Sequence, residues 1–165
     1  MEKACVFNQT RQSFLSLGVT VADGHLSRLI GLLGKRKLAS GEGLWVVPSQ
    51  GIHTIGLLFP IDVIYLNERS EVIHLIESLG TFRIAPVRSQ CRSVLELPTR
   101  TIYTSQTEVG DELLICSAVE MEIHRRAQQV RKAPQSAAAV RSGGLRCGSA
   151  EDSIVVRFSG GTEGI

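Results

Sequence analysis

Five residues of this chain have side chains suited to a binding or catalytic site: Arg28, His53, Thr54, Asp62 and Glu96. A histidine acting with two carboxylates can serve general acid–base work or hold a metal ion. Asp62 is the anomalous member. In the run IDVIYL it alternates with Ile61, Val63 and Tyr65, and so shares a face with Ile64 and Leu66. A carboxylate on an apolar face needs a hydrogen bond or a countercharge. Its expected partner is Arg28, a histidine, or the backbone amides of the turn before Leu57–Pro60. Arg28 could instead clamp an anionic ligand. The plain alternative has Asp62 bonded to amides at a strand end, Glu96 on a solvent face, and Arg28 and His53 at the surface. His53, Asp62 and Glu96 fall on separate segments, so spacing alone does not choose.

Other chemistries lack their signatures. His25, His74 and His124 form no H-E-x-x-H spacing, and the glycines fit neither a P-loop nor a G-x-G-x-x-G fingerprint. Cys5, Cys91, Cys116 and Cys147 are scattered without a C-x-x-C pair, which argues for free thiols rather than a zinc site or a disulfide framework. No G-x-S-x-G nucleophile elbow occurs. The expectation is therefore a protein with no cofactor and no metal.

The elements that must position these residues read mainly as strands. His53–Ile76 is the densest β-branched and aromatic stretch, and Asn67–Ser70 divides it into two apolar runs, the pattern of a β-hairpin. Ala4–Leu17 reads as one or two strands about a turn at 8–13, and Leu44–Val47 as a strand closed by Pro48. Phe82–Ala85, Cys91–Leu97 and Glu112–Val119 read as further strands, whereas 99–106 is either strand or a helical turn. Leu26, Leu29, Ile30 and Leu33 recur at helical spacing behind Asp23, with Gly34 and Lys35-Arg36-Lys37 as a stop. The fold class is thus mainly β (α+β), a small barrel- or sandwich-like antiparallel sheet with one short amphipathic helix near residues 24–34.

Charge divides the chain. Residues 1–122 carry 11 Lys and Arg against 13 Asp and Glu, while residues 123–165 carry 7 against 3. Apolar periodicity fades near Val119, so residues 1–120 are expected to form one globular domain. Residues 121–165, basic and rich in Ala, Ser and Gly, are expected to form a flexible tail. Arg125, Arg126, Arg131 and Lys132 offer weak electrostatic contact with nucleic acid, but no nucleic-acid-binding module is recognisable. Neither a secretory h-region nor an apolar run of the ~20 residues a spanning helix needs is present. The expected location is cytoplasmic.

The motifs RLIGLLGKRKL, GEGLWVVP, IHTIGLLFPIDVIYLNERSEVIHL, VLELP and VGDEL occur in this order. Together they resemble the bacterial and archaeal family known as Domain of Unknown Function one-nine-two. Arg28, Gly31, Leu32 and Leu33 match its R-x-x-G-L-[ML] helix, and Pro60–Leu66 match its P-[IL]-D-[VL]-[IV]-[FY]-[LI] block. Leu95–Pro98 match its V-L-E-[LV]-P strand, and Gly110-Asp111 its G-D turn. The resemblance spans roughly residues 10–116 and implies a mostly β domain with a short helix and no established activity. The chain departs from the family at His53-Thr54-Ile55-Gly56, where relatives resemble W-M-K-N; the resemblance implies an exported or membrane-tethered protein for many relatives, whereas no leader is expected here.

Two functions stay open. The first is a non-catalytic ligand- or protein-binding module, with a pocket lined by Arg28, His53, Thr54, Asp62 and Glu96; its partner is not specified by the sequence. The second is a small metal-independent hydrolase or lyase using His53, Asp62 and Glu96. The binding module is the primary expectation, and convergence of the three polar side chains in one concavity would favour the enzyme.

Overall fold

The strand Ile61–Leu66 is buried at every position, and the rest of the sheet is laid out on either side of it. The structure, a computed structural model, describes residues 2–24 and 32–132. Among these, seven strands form one sheet: β1 (Lys3–Asn8), β2 (Ser13–Ala22), β3 (Glu42–Val46), β4 (Ile61–Leu66), β5 (Val72–Leu79), β6 (Ser93–Pro98) and β7 (Leu113–Cys116). Their order is β5-β4-β6-β3-β2-β1-β7. All pairings are antiparallel except β2 with β3, which run parallel in contrast to the antiparallel sheet expected.

The sheet curls until its outermost strands meet at one end. Glu71 and Glu112 form an isolated bridge. Around it, Leu113 N–H donates to Ser70 O at 3.0 Å, Val72 N–H to Asp111 O at 2.9 Å, and Gly110 N–H to Val72 O at 2.8 Å. The buried side chain of Asn8 reinforces this seam by donating to Asp111 Oδ2 at 2.8 Å. Burial alone would raise the Asp111 carboxyl, but hydrogen bonds from the Glu108 amide, Asn8 and Arg11 outweigh it and hold the group below its usual range. The result is a half-barrel pinned at one end.

Residue parity divides the core. Ile64, Leu66, Leu95 and Leu97 join one cluster, whereas Ile61, Val63, Tyr65 and Val94 join another on the opposite face. The second cluster is completed by Leu57, Ala85 and Cys91 from the segments flanking β4 and β6. Those segments run side by side. Thr54 N–H donates to Arg83 O at 2.8 Å, Phe82 N–H to Thr54 O at 3.0 Å, and Ala85 N–H to Ile52 O at 2.9 Å. At the end of the β3–β6 pairing only glycine fits, because a Cβ on Gly43 would stand 2.8 Å from Glu96 O.

Two helices are described. The first, α1 (Thr101–Ser105), settles the ambiguous segment as helix and buries Ile102 and Ser105. The second, α2 (Ala118–Lys132), begins at a reciprocal cap. Ser117 N–H donates to Glu120 Oε2 at 2.9 Å, and Glu120 N–H returns to Ser117 Oγ at 3.3 Å, the S-x-x-E capping box. That box ends the strand expected to reach Val119, so β7 stops at Cys116. The helix runs through residue 121, where the tail was expected to begin, and Met121 is buried against Cys5 and Phe7. Arg125 and Arg126 both bond Glu122, at 3.0 and 2.9 Å, which engages two of the four charges considered for nucleic acid.

Other sequence expectations change. The Phe82–Ala85 strand reduces to a single bridge between Ile84 and His53, because its amides pair with the irregular 50–54 segment rather than with a full neighbouring strand. Most of the segment expected to be helical near 24–34, with Arg28, Leu26, Leu29 and Ile30, lies outside the described residues, and residues 32–34 form a turn. Of its expected buried face only Leu33 is described, and it is 42% exposed, whereas Leu32 beside it is buried at 3%.

The packing of Met121 yields a truncation test. Deleting residues 133–165 is expected to leave the thermal midpoint within a few degrees. Deleting from residue 121 onward exposes Cys5 and Phe7 and is expected to lower it by at least about 5 °C, measured by circular dichroism.

Candidate functional site

The pairing of β4 with β6 determines what Asp62 and Glu96 can share. Asp62 lies opposite Leu97, and Val63 lies opposite Glu96. The two carboxyls are therefore one residue out of step on neighbouring strands and project from opposite faces of the sheet.

Asp62 is fully buried on the face of Ile64 and Leu66. Its Oδ1 accepts the Ser78 N–H at 2.9 Å, and its Oδ2 accepts the Ile102 N–H at 3.0 Å. The first amide belongs to a bulge, for the register of β5 against β4 slips between Ile61 and Val63 and Ser78 sits at φ 49°. The second opens the first turn of α1, which has no side-chain cap of its own. The partner is thus a pair of amides, as one of the expectations had it. They come from β5 and α1 rather than from the turn before Leu57–Pro60. With one amide on each oxygen, Asp62 acts as a structural clamp.

The remaining candidates separate. His53 is exposed, and its ring makes no hydrogen bond or ion pair among the described residues. Thr54 is buried and its hydroxyl is occupied: Oγ1 donates to Gly80 O at 2.7 Å and accepts the Arg83 N–H at 2.9 Å. Arg28 lies outside the described residues. A hydrolase or lyase mechanism that needs both carboxylates in one cleft has no support in this arrangement.

Glu96 is different. It is 7% exposed, set between Leu44 of β3 and Val63 of β4 on the face of the second apolar cluster. No hydrogen bond or ion pair among the described residues reaches its carboxyl. Burial pushes it from an ordinary 4.5 up to about 7. A buried, unpartnered acid costs stability, and such groups concentrate where a protein binds or reacts. Trp45 Nε1 is the fully enclosed side-chain polar atom that lacks a partner among the described residues, a feature the sequence did not signal. Its side chain packs against the first cluster, so it lies on the face away from Glu96. No group of three or more His, Cys, Asp or Glu side chains that could hold a metal ion occurs among the described residues.

Residues 6–115 match the family Domain of Unknown Function one-nine-two, described as Uncharacterized ACR. The chain belongs to this family. Both buried carboxyls, Asp62 and Glu96, fall within the matched span of this Uncharacterized ACR member. No curated protein matches the chain. Among solved structures, a "putative transcription regulator" of Sinorhizobium meliloti is similar at a TM-score of 0.59 and 19% identity, covering 69% of this chain and 92% of its own. A protein of unknown function from Novosphingobium aromaticivorans is similar at a TM-score of 0.57 and 15% identity, covering 68% and 83% respectively. Both likenesses concern the fold.

The two carboxyls give opposite expectations in this Uncharacterized ACR domain. Asp62→Asn replaces one acceptor by a donor that faces an amide, and is expected to cost about 2–3 kcal/mol in urea denaturation. A variant as stable as wild type would remove Asp62 from its clamp role. For Glu96 the folded chain holds an extra proton between about pH 4.5 and 7, so its contribution is present at low pH and is lost as pH rises through that window. Glu96→Gln is therefore expected to gain about 1–3 kcal/mol over wild type near pH 8 relative to the difference near pH 4.5. Parallel pH–stability curves for the two proteins would contradict the burial of this acid.

Proposed function

We propose that this domain is a soluble, cytoplasmic, non-catalytic binding module whose ligand site lies on the apolar face around Glu96. The observation that carries this reading is that Glu96, only 7% exposed, lies among Leu44, Val63 and the second apolar cluster with no hydrogen-bond partner for its carboxyl among the described residues. Apolar surroundings with one directional polar group suit a small ligand that has a hydrocarbon body and one donating head. A cationic amine is the head that best matches a carboxyl, because it supplies both the charge and the hydrogen bond that the fold withholds. The fold then serves as a frame: Asp62 stiffens the opposite side of the same sheet, and Thr54 ties together the segments that bound the Glu96 face.

Binding of an amine requires the carboxylate form, so affinity is expected to rise with pH through about 7 and to release a proton from Glu96. Thermal-shift measurements with hexylamine, using hexanol as the uncharged control, test this. Stabilisation of wild type by the amine near pH 8, absent in Glu96→Gln, is the expected result. Equal shifts in the two proteins, or none in either, would sink the reading.

A further inference from the structure

The two segments that complete the second cluster also present a surface of their own. Residues 50–58 and 80–88 run as an irregular ribbon, joined by the bonds of Thr54, Ile52 and Gln50 to Arg83, Phe82, Ala85 and Arg88. Its inner side chains, Thr54, Leu57 and Ala85, are buried. Its outer ones are large and apolar: Ile55 is 49% exposed, Leu58 71%, Phe82 65%, Ile84 78% and Val87 73%. Side chains lining a groove would be half covered by its walls; at these exposures they stand out from the surface. A cluster of exposed apolar residues of this extent marks an interaction surface.

Backbone geometry argues that the display is built in. Phe82 is held at φ 55°, a left-handed conformation that aromatic residues rarely adopt. Its N–H is bonded to Thr54 O and the next residue's amide to Thr54 Oγ1. Two further anchors fix the ribbon to the sheet: Tyr65 donates its hydroxyl to Pro86 O at 3.0 Å, and Arg88 Nη2 lies 3.1 Å from His74 Nε2. Burial first, and then the Arg88 cation, hold His74 below its ordinary value, so the ring stays neutral and accepts from Arg88.

Charge identifies the partner. No carboxylate occurs between Gly43 and Ile61 or between Gly80 and Arg92, whereas Arg83 and Arg88 stand exposed among the apolar tips. Arg83 makes no side-chain hydrogen bond or ion pair among the described residues. In a symmetric pair of copies these arginines would face one another, which disfavours self-association through this surface. Protruding apolar side chains flanked by cations and free of acids match the interface of an anionic bilayer. There each tip enters the headgroup region separately, with no need for a shaped cavity, and the guanidinium groups meet lipid phosphates.

We propose that the ribbon formed by residues 50–58 and 80–88 docks this protein peripherally on anionic lipid surfaces, through Leu58, Phe82 and Ile84 with Arg83 and Arg88. The surface is separate from the Glu96 carboxyl, so the proposal does not depend on the ligand reading. Co-sedimentation of the full chain with phosphatidylglycerol–phosphatidylcholine vesicles, against phosphatidylcholine alone, tests it. Wild type is expected to sediment with the anionic vesicles, and the triple variant Leu58→Ser/Phe82→Ser/Ile84→Ser to lose at least about ten-fold in partitioning. The double variant Arg83→Gln/Arg88→Gln is expected to lose a similar factor. The triple variant should keep the wild-type thermal midpoint because its altered side chains are exposed, and Arg83→Gln alone, which leaves the Arg88–His74 contact intact, is expected to lose part of the factor at an unchanged midpoint. If the triple variant melts early, Ile84→Ser alone carries the comparison. Three results would overturn the proposal. They are no sedimentation of wild type, undiminished sedimentation of the loop variants (binding by the basic segment after residue 122), and a wild-type dimer in size exclusion that the triple variant abolishes (a protein interface).

Discussion

One buried carboxylate holds three elements of this domain in place. Asp62 lies on a strand covered on both faces, so water cannot satisfy its charge, and it is bonded to two amides separated from it by 16 and 40 residues. One amide is freed by the bulge in β5; the other is an uncapped donor at the start of α1. Each of these three groups would be costly alone. Brought together, they satisfy one another, and the bulge and the short helix persist because the carboxylate is there. A five-residue helix has too few internal bonds to be stable by itself; here its first turn is bonded to the core.

The same sheet treats its second buried acid in the opposite way. Glu96 is one strand away and one residue out of step, which turns it to the other face and leaves it without a partner among the described residues. Asp62 therefore has a structural role, and the ligand-binding role proposed above falls to Glu96 alone. Stability is concentrated where the hydrogen bonds are complete, and recognition is proposed where they are missing.

Much of this was legible in the sequence. The alternation in IDVIYL placed Asp62 correctly with Ile64 and Leu66, and Asn67–Ser70 is the turn of the β4–β5 hairpin. Which amides Asp62 would find was not legible, because they come from a bulge and a helix that local pattern does not specify. The sequence left Glu96 either in a polar cluster with His53 and Asp62 or on a solvent face. It is buried because β6 is central and the flanking segments cover that face, a tertiary effect that strand periodicity does not encode. The S-x-x-E box at Ser117–Glu120 was a local signal that could have marked the start of α2, but the apolar run leading to Val119 masked it. Adjacent leucines exchanged roles: Leu32 faces the core and Leu33 does not, because the two sit in a turn rather than on the helical face that their spacing suggested.

The pinned end of the half-barrel also governs how the chain acquires its shape. Asn8 and Asp111, which meet there, are 103 positions apart, and Cys5 of β1 pairs with Cys116 of β7. During synthesis β1 can find β2 at once, but its other edge has no strand to pair with until nearly all of the sheet has been made. High contact order of this kind makes ring closure a slow, late event. The long-lived open edge of β1 belongs to the growing chain, since β7 covers it in the finished protein, whereas β5 keeps its outer edge beyond the bridge at Glu71; the hazard of wrong pairing at β1 is concentrated in that interval.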